Sequence, residues 1–149
     1  MKKNSKVNLI KYIIAGILLW IIVDFSTAGG FRMSYFEKYG PTLLVFYLGY
    51  PIVFAFLIFK LKFTEFQLLL ATLVAIFIVE VVFTRNPLLM TFPAFIIGIP
   101  LAVLVYAPLT YFPLWWIRGG LLKHKKAIIF LSIVELCVIC LTAFGGLQV

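Results

Sequence analysis

Three carboxyl groups are the side chains of this sequence that could do chemistry within an apolar environment. Glu135 lies about nine residues into a hydrophobic run, and Asp24 and Glu80 lie near the ends of two other runs. A charged carboxylate is costly in hydrocarbon, so we expect each group to be protonated, paired or in reach of water. A carboxyl facing a cavity can handle protons or cations, whereas one facing a helix makes a packing hydrogen bond.

Glu135 is the most informative of the three, because polar and small side chains recur on its side of a helix. Ser132, Glu135, Thr142 and Gly146 project to one side of a helical wheel. One interpretation is a proton- or cation-handling site, and the other is a hydrogen bond to a neighbouring helix or a partner subunit. The sequence leaves both open.

Asp24 and Glu80 lie near the outer ends of their predicted spans, on the same side of the membrane as Arg32 and Arg85. These four residues could form a charge cluster near the outer face. The alternative interpretation is that they are ordinary interfacial residues whose charged groups reach water.

Other catalytic and metal-binding signals are missing from the sequence. Cys137 and Cys140 spell C-x-x-C, but they lie in an apolar run, which favours a packing role over a redox role. His124 is the sole histidine, so we predict neither a metal site nor a cofactor. Because the G-x-S-x-G, H-E-x-x-H and Walker motifs are also absent, we do not expect an enzyme.

The composition defines the environment in which these groups must work. Of 149 residues, 64% are hydrophobic and only 12% are charged, whereas a soluble domain is about a quarter charged. This excludes an ordinary soluble protein, a disordered chain and a disulfide scaffold. It predicts an all-α, polytopic transmembrane helix bundle that forms one integral membrane domain over residues 1–149.

Five apolar stretches are long enough to cross a bilayer as helices. They cover residues 9–26, 41–59, 66–83, 88–112 and 127–147. The connecting segments are short, and the longest, residues 27–40, is too short for a soluble domain.

The basic residues orient these five spans. The net charge is +8, and ten of the 13 Lys and Arg lie in the N-terminal segment, at 60–62 and at 118–126. Basic flanks stay on the cytoplasmic side, so we predict a cytoplasmic N-terminus, an external C-terminus and, by default, a multi-pass plasma-membrane protein. We do not expect nucleic-acid binding, because no folded domain supports it.

The first span has a second interpretation. The basic N-terminus, the apolar residues 12–23 and the small residues at 26–28 also fit a signal peptide cleaved after Ala28. Cleavage there would leave four crossings.

The fourth span is rich in proline. Asn86 and Pro87 are typical of a helix start, and Pro93, Pro100 and Pro108 then fall on one side of the helix. We predict a helix kinked by these prolines. A broken helix whose freed carbonyls line a binding site is the functional alternative.

These features predict a membrane protein without evident catalytic chemistry, whose partners are the lipid bilayer and other membrane helices, in a homo-oligomer or a larger complex. Small residues four apart, such as Ala71 with Ala75 and Gly98 with Ala102, allow close helix contact. We therefore expect a subunit, scaffold or assembly partner of a membrane complex. The alternatives are a small ion- or proton-coupled transporter or channel that uses Glu135, and an enzyme that uses the outer acids.

Overall fold

The computed structural model describes residues 2–27 and 32–118, and beyond them only the single positions 126, 129, 130, 133, 137 and 140. Throughout these residues the regular structure is helical, as the composition predicts. The elements are α1 (Lys2–Thr27), α2 (Met33–Phe59), α3 (Glu65–Ile76), a π-helix (Phe77–Phe83), α4 (Pro87–Met90) and α5 (Phe95–Arg118).

Three of the described helical stretches are long and apolar enough to cross a membrane: Lys6–Ser26, Glu65–Phe83 and Phe95–Ile117. Helix α2 passes the same test only as a bent pair, Met33–Gly40 with Leu43–Phe59, whose axes differ by 80°. Of the predicted fifth span, 127–147, the structure describes only single positions, so this span stays a prediction.

Two predicted boundaries differ from those observed. The segment 27–40 was expected to be a loop, but α2 already begins at Met33. The run 88–112 was expected to be one span, but α4 ends at Met90 and α5 begins at Phe95 after a turn. Pro93 has no amide hydrogen to donate, which favours an interruption here, whereas Pro100, Pro108 and Pro113 lie inside α5. That they kink α5 stays a prediction.

Helix α3 begins where its sequence provides a capping box. The Thr64 hydroxyl accepts a hydrogen bond from the Gln67 amide at 3.3 Å, and the Gln67 side-chain oxygen accepts one from the Thr64 amide at 2.8 Å. Two amides that the first helical turn would leave unpaired are thereby satisfied.

Helices α1 and α5 form the centre of the bundle. Helix α1 packs mainly against α2 and α5, and α3 packs mainly against α5. The buried core is rich in aromatic residues and includes Tyr12, Trp20, Tyr47, Tyr50, Phe54, Leu68, Tyr106, Leu109, Tyr111 and Leu114. Helix α1 contributes Tyr12, Trp20 and Val23 to this core.

Basic residues from separate segments gather at one end of the bundle. The ring centroids of Tyr12 and Phe59 are 6.0 Å apart. The Tyr111 hydroxyl donates a hydrogen bond to the backbone carbonyl oxygen of Glu65 at 2.7 Å. The start of α1, the connection that contains Lys60 and Lys62, and the last turns of α5 are therefore neighbours. We call this the basic end, and we call the opposite end, which contains Asp24 and Glu80, the far end.

Candidate functional site

Asp24 is held between α1 and α2 at the far end. Its Oδ2 atom accepts hydrogen bonds from the hydroxyls of Tyr35, at 3.0 Å, and of Tyr47, at 2.5 Å. Tyr47 is buried, and Asp24 and Tyr35 are half-buried. The carboxyl group therefore faces the α1–α2 contact, and two tyrosine hydroxyls replace the water that it would otherwise bind.

Glu80 is held in the same manner between the π-helix and α5. Its Oε1 atom accepts a hydrogen bond from the Tyr106 hydroxyl at 2.7 Å. Its Oε2 atom accepts one from the Asn86 side-chain amide at 2.9 Å and a longer one from Thr84 at 3.3 Å. Each carboxylate oxygen of Glu80 thus has a donor from within the chain.

The backbone around Glu80 is irregular, and this irregularity brings Asn86 to the carboxyl group. The π-helix ends at Phe83, and Arg85 then adopts a left-handed conformation with φ of 52°. The Asn86 amide consequently returns to the Glu80 carbonyl oxygen at 2.7 Å. Single π-helical turns are frequent at functional sites, and here the turn carries the carboxyl group.

An aromatic layer joins the two carboxyl groups. Trp20 lies one turn before Asp24 on α1, and its ring is 6.3 Å from that of Tyr47 and 5.3 Å from that of Tyr106. Asp24, Glu80, Trp20, Tyr47 and Tyr106 thus lie in one layer. We call these five residues the carboxyl–aromatic layer.

The chemistry available to this layer is that of acids and hydroxyl groups. Two carboxyls can hold protons or contact a small cation, and the tyrosine hydroxyls fix their positions. In the described part of the chain, Arg85 and Arg32 are exposed and form no ion pair with Asp24 or Glu80. Within that same part, no three acidic, histidine or cysteine side chains converge as metal ligands.

A second polar cluster lies in the middle of the bundle and is centred on Thr110. The Thr110 hydroxyl lies 2.6 Å from the Tyr50 hydroxyl and 3.1 Å from the Thr72 hydroxyl. The Tyr12 hydroxyl donates to the Thr110 carbonyl oxygen at 2.9 Å. All four residues are buried, so this Thr110 cluster links α1, α2, α3 and α5 by hydrogen bonds that solvent does not reach.

The site residues predicted from the sequence lie in different parts of the structure. The structure brings Asp24 and Glu80 together in one layer and leaves Arg85 outside it. Pro100 is exposed on α5, and Pro108 is buried two residues before Thr110. Ser132, Glu135 and Thr142 lie outside the described residues, so the polar stripe of the last span stays a prediction.

Sequence reasoning missed the tyrosines as partners of the acids. Tyr47 and Tyr106 were given no role. A signal was present, because a tyrosine within an apolar span must bury a hydroxyl group that needs a hydrogen-bond partner. The carboxyls of Asp24 and Glu80 are two such partners.

Comparison of this chain with protein-family models, curated proteins and solved structures finds no match. The described helices define a helical protein with apolar spans suited to a membrane.

Proposed function

We propose that this protein is a multi-pass integral membrane protein of the plasma membrane that acts as a subunit, scaffold or assembly partner of a membrane complex. The observation that carries this proposal is the contrast between a filled interior and broad apolar outer faces. Rings of Trp20, Tyr50 and Tyr106 contact one another at 5.2 to 5.9 Å in the centre of the bundle. Side chains thus occupy the space that a solute pathway through these helices would need.

The outer face of α3 and the π-helix supports an interaction role. Phe66, Leu70, Leu73 and Phe77 follow one another at helical spacing and are 68%, 46%, 37% and 59% exposed. In a membrane such a face contacts lipid or another helix. Ala71, Ala75 and Ala102 instead pack against the core, so part of the small-residue pattern serves contacts within the chain.

The orientation belongs to the same proposal. Lys11, Lys60 and Lys62 gather at the basic end, and cytoplasmic flanks are enriched in Lys and Arg. We infer that the basic end faces the cytoplasm and that the carboxyl–aromatic layer lies toward the outer face.

The native mass of the protein, extracted from its own membrane in mild detergent, tests the proposal. We expect a particle of reproducible composition that contains other chains. A photo-crosslinking residue in place of Phe77 should label one of them, and the same residue in place of the exposed loop residue Phe92 is the matched control. A monomer or a homo-oligomer without other chains would contradict the proposal.

A small proton- or ion-coupled transporter or channel is the second candidate. It is favoured by the inward-facing carboxyls of Asp24 and Glu80, to which Glu135 would add a third. This function requires that Glu135→Gln abolish flux in reconstituted vesicles while the protein still assembles. The exposed Glu37→Gln is the control, and normal flux in the Glu135 variant would exclude the mechanism.

A further inference from the structure

A polar pocket of about 150 Å³ opens between the first and the last described helices at the basic end. Asn8 and Lys11 line it from α1, and Trp116 and Ile117 line it from the end of α5. Asn8 and Lys11 are three residues apart, so both side chains project to the same side of α1. The pocket is therefore built by two packed helices and not by a loop.

The polar groups of this pocket are hydrogen-bond donors suited to an anion. Lys11 carries an exposed ammonium group that forms no ion pair with a described carboxylate, and Asn8 adds an amide. Lys6, Lys60 and Lys62 are exposed at the same end, where Glu65 is the one acid among the described residues. Charge complementarity thus favours a phosphate group.

The surroundings of the pocket indicate that this phosphate belongs to a lipid. Trp116 is 63% exposed, and an indole ring with a polar edge favours the headgroup level of a membrane. Ile14, one turn beyond Lys11, and Phe112, one turn before Trp116, are 54% and 36% exposed. They extend an apolar surface from the pocket toward the middle of the spans, where an acyl chain can lie.

We propose that Asn8, Lys11 and Trp116 form a binding site for the headgroup of an anionic phospholipid. The phosphate accepts hydrogen bonds from Lys11 and Asn8, Trp116 lies at the headgroup boundary, and the acyl chains lie outside the pocket on Ile14 and Phe112. A basic pocket between membrane helices is a known form of lipid-headgroup site.

Native mass spectrometry of the purified full-length protein in mild detergent tests this site, with phosphatidylglycerol as the probe and phosphatidylcholine as the neutral reference. We expect retention of phosphatidylglycerol over phosphatidylcholine. Lys11→Ala should weaken phosphatidylglycerol binding about fivefold, since one basic residue near the surface is worth roughly 1 kcal/mol. Lys11→Arg should retain it, and Lys38→Ala, an exposed lysine at the far end, is the matched control.

Three results would overturn the proposal. Equal retention of both lipids by the unmodified protein would show that the pocket does not select a lipid by the charge of its headgroup. An equal loss in the Lys11→Ala and Lys38→Ala variants would show general attraction and no site. Full displacement of the lipid by excess inorganic phosphate would show that the occupant is a free anion. Because Lys11 is exposed, its replacement should leave the unfolding temperature unchanged, which separates a binding defect from a folding defect.

Discussion

At the scale of single residues, tyrosine hydroxyl groups organise the interior of this bundle. Tyr35, Tyr47 and Tyr106 donate to carboxyl groups, and Tyr12 donates to a backbone carbonyl. A hydroxyl buried without a partner costs several kcal/mol in an apolar medium. Each tyrosine thus provides a large apolar ring for packing and one polar atom whose partner fixes the position of a second helix.

The hydrogen bond between Tyr106 and Glu80 should contribute measurably to stability. Tyr106→Phe keeps the ring but removes the donor at 2.7 Å from Oε1. We expect the free energy of unfolding in detergent to fall by about 1–2 kcal/mol. Tyr39→Phe is the control, because Tyr39 is 44% exposed. An equal effect of the two substitutions would mean that Glu80 is not held by Tyr106.

The Thr110 cluster gives a second prediction at this scale. Thr110→Val is nearly isosteric but leaves the buried hydroxyls of Tyr50 and Thr72 without their shared partner. We expect a loss of about 1–3 kcal/mol in chemical unfolding. Thr91→Val, at an exposed position, should change stability by less than about 0.5 kcal/mol. A stable Thr110→Val variant would show that these hydroxyls find other partners.

At the scale of elements, the close approach of α1 and α2 depends on a glycine. A Cβ atom at Gly16 would lie 2.9 Å from Cβ and 3.1 Å from Cγ of Pro51, whereas one at Gly49 would meet nothing within 4 Å. The two helices can therefore pack at this separation only if position 16 has no side chain.

This difference predicts opposite effects of the same substitution on two helical glycines. Gly16→Ala should destabilise the protein by about 1–3 kcal/mol, because the helices must separate or shift. Gly49→Ala should leave stability unchanged or raise it by up to about 1 kcal/mol, since alanine favours a helix. Thermal unfolding in detergent measures both, and equal effects would contradict the packing of α1 on α2.

Sequence patterning predicted some elements well and others poorly, for physical reasons. Hydrophobic length alone located residues 9–26 and 66–83, which the structure places within Lys6–Ser26 and Glu65–Phe83. It did not locate the start of α2, because Met33–Gly40 is helical without being continuously apolar. Nor did it predict the π-helix, whose altered hydrogen bonding leaves no signature in hydropathy.

The candidate site shows the same limit. The sequence identified Asp24 and Glu80 as unusual because a carboxyl group stands out in an apolar run. Their partners depend on contacts between residues far apart in sequence, such as Tyr106 with Glu80, which one sequence without an alignment does not specify. One interpretation of the sequence paired these acids with Arg32 and Arg85, but the described contacts are with tyrosines, an asparagine and a threonine.

At the scale of the whole molecule, the two ends of the bundle differ in chemistry. Lysines and a polar pocket mark the basic end, and the carboxyl–aromatic layer marks the far end. Anionic lipids of the inner leaflet attract basic residues. The proposed orientation and the proposed lipid site both depend on these ends lying on opposite sides of one membrane.

Cysteine accessibility in intact cells tests this arrangement most directly. Lys38→Cys reports on the far end and Lys60→Cys on the basic end, in a background in which Cys137 and Cys140 are replaced by alanine. With a membrane-impermeant maleimide, we predict that Lys38→Cys is labelled from outside and Lys60→Cys only after the membrane is permeabilised. Labelling of both from the same side, or in the reverse order, would contradict the proposed orientation.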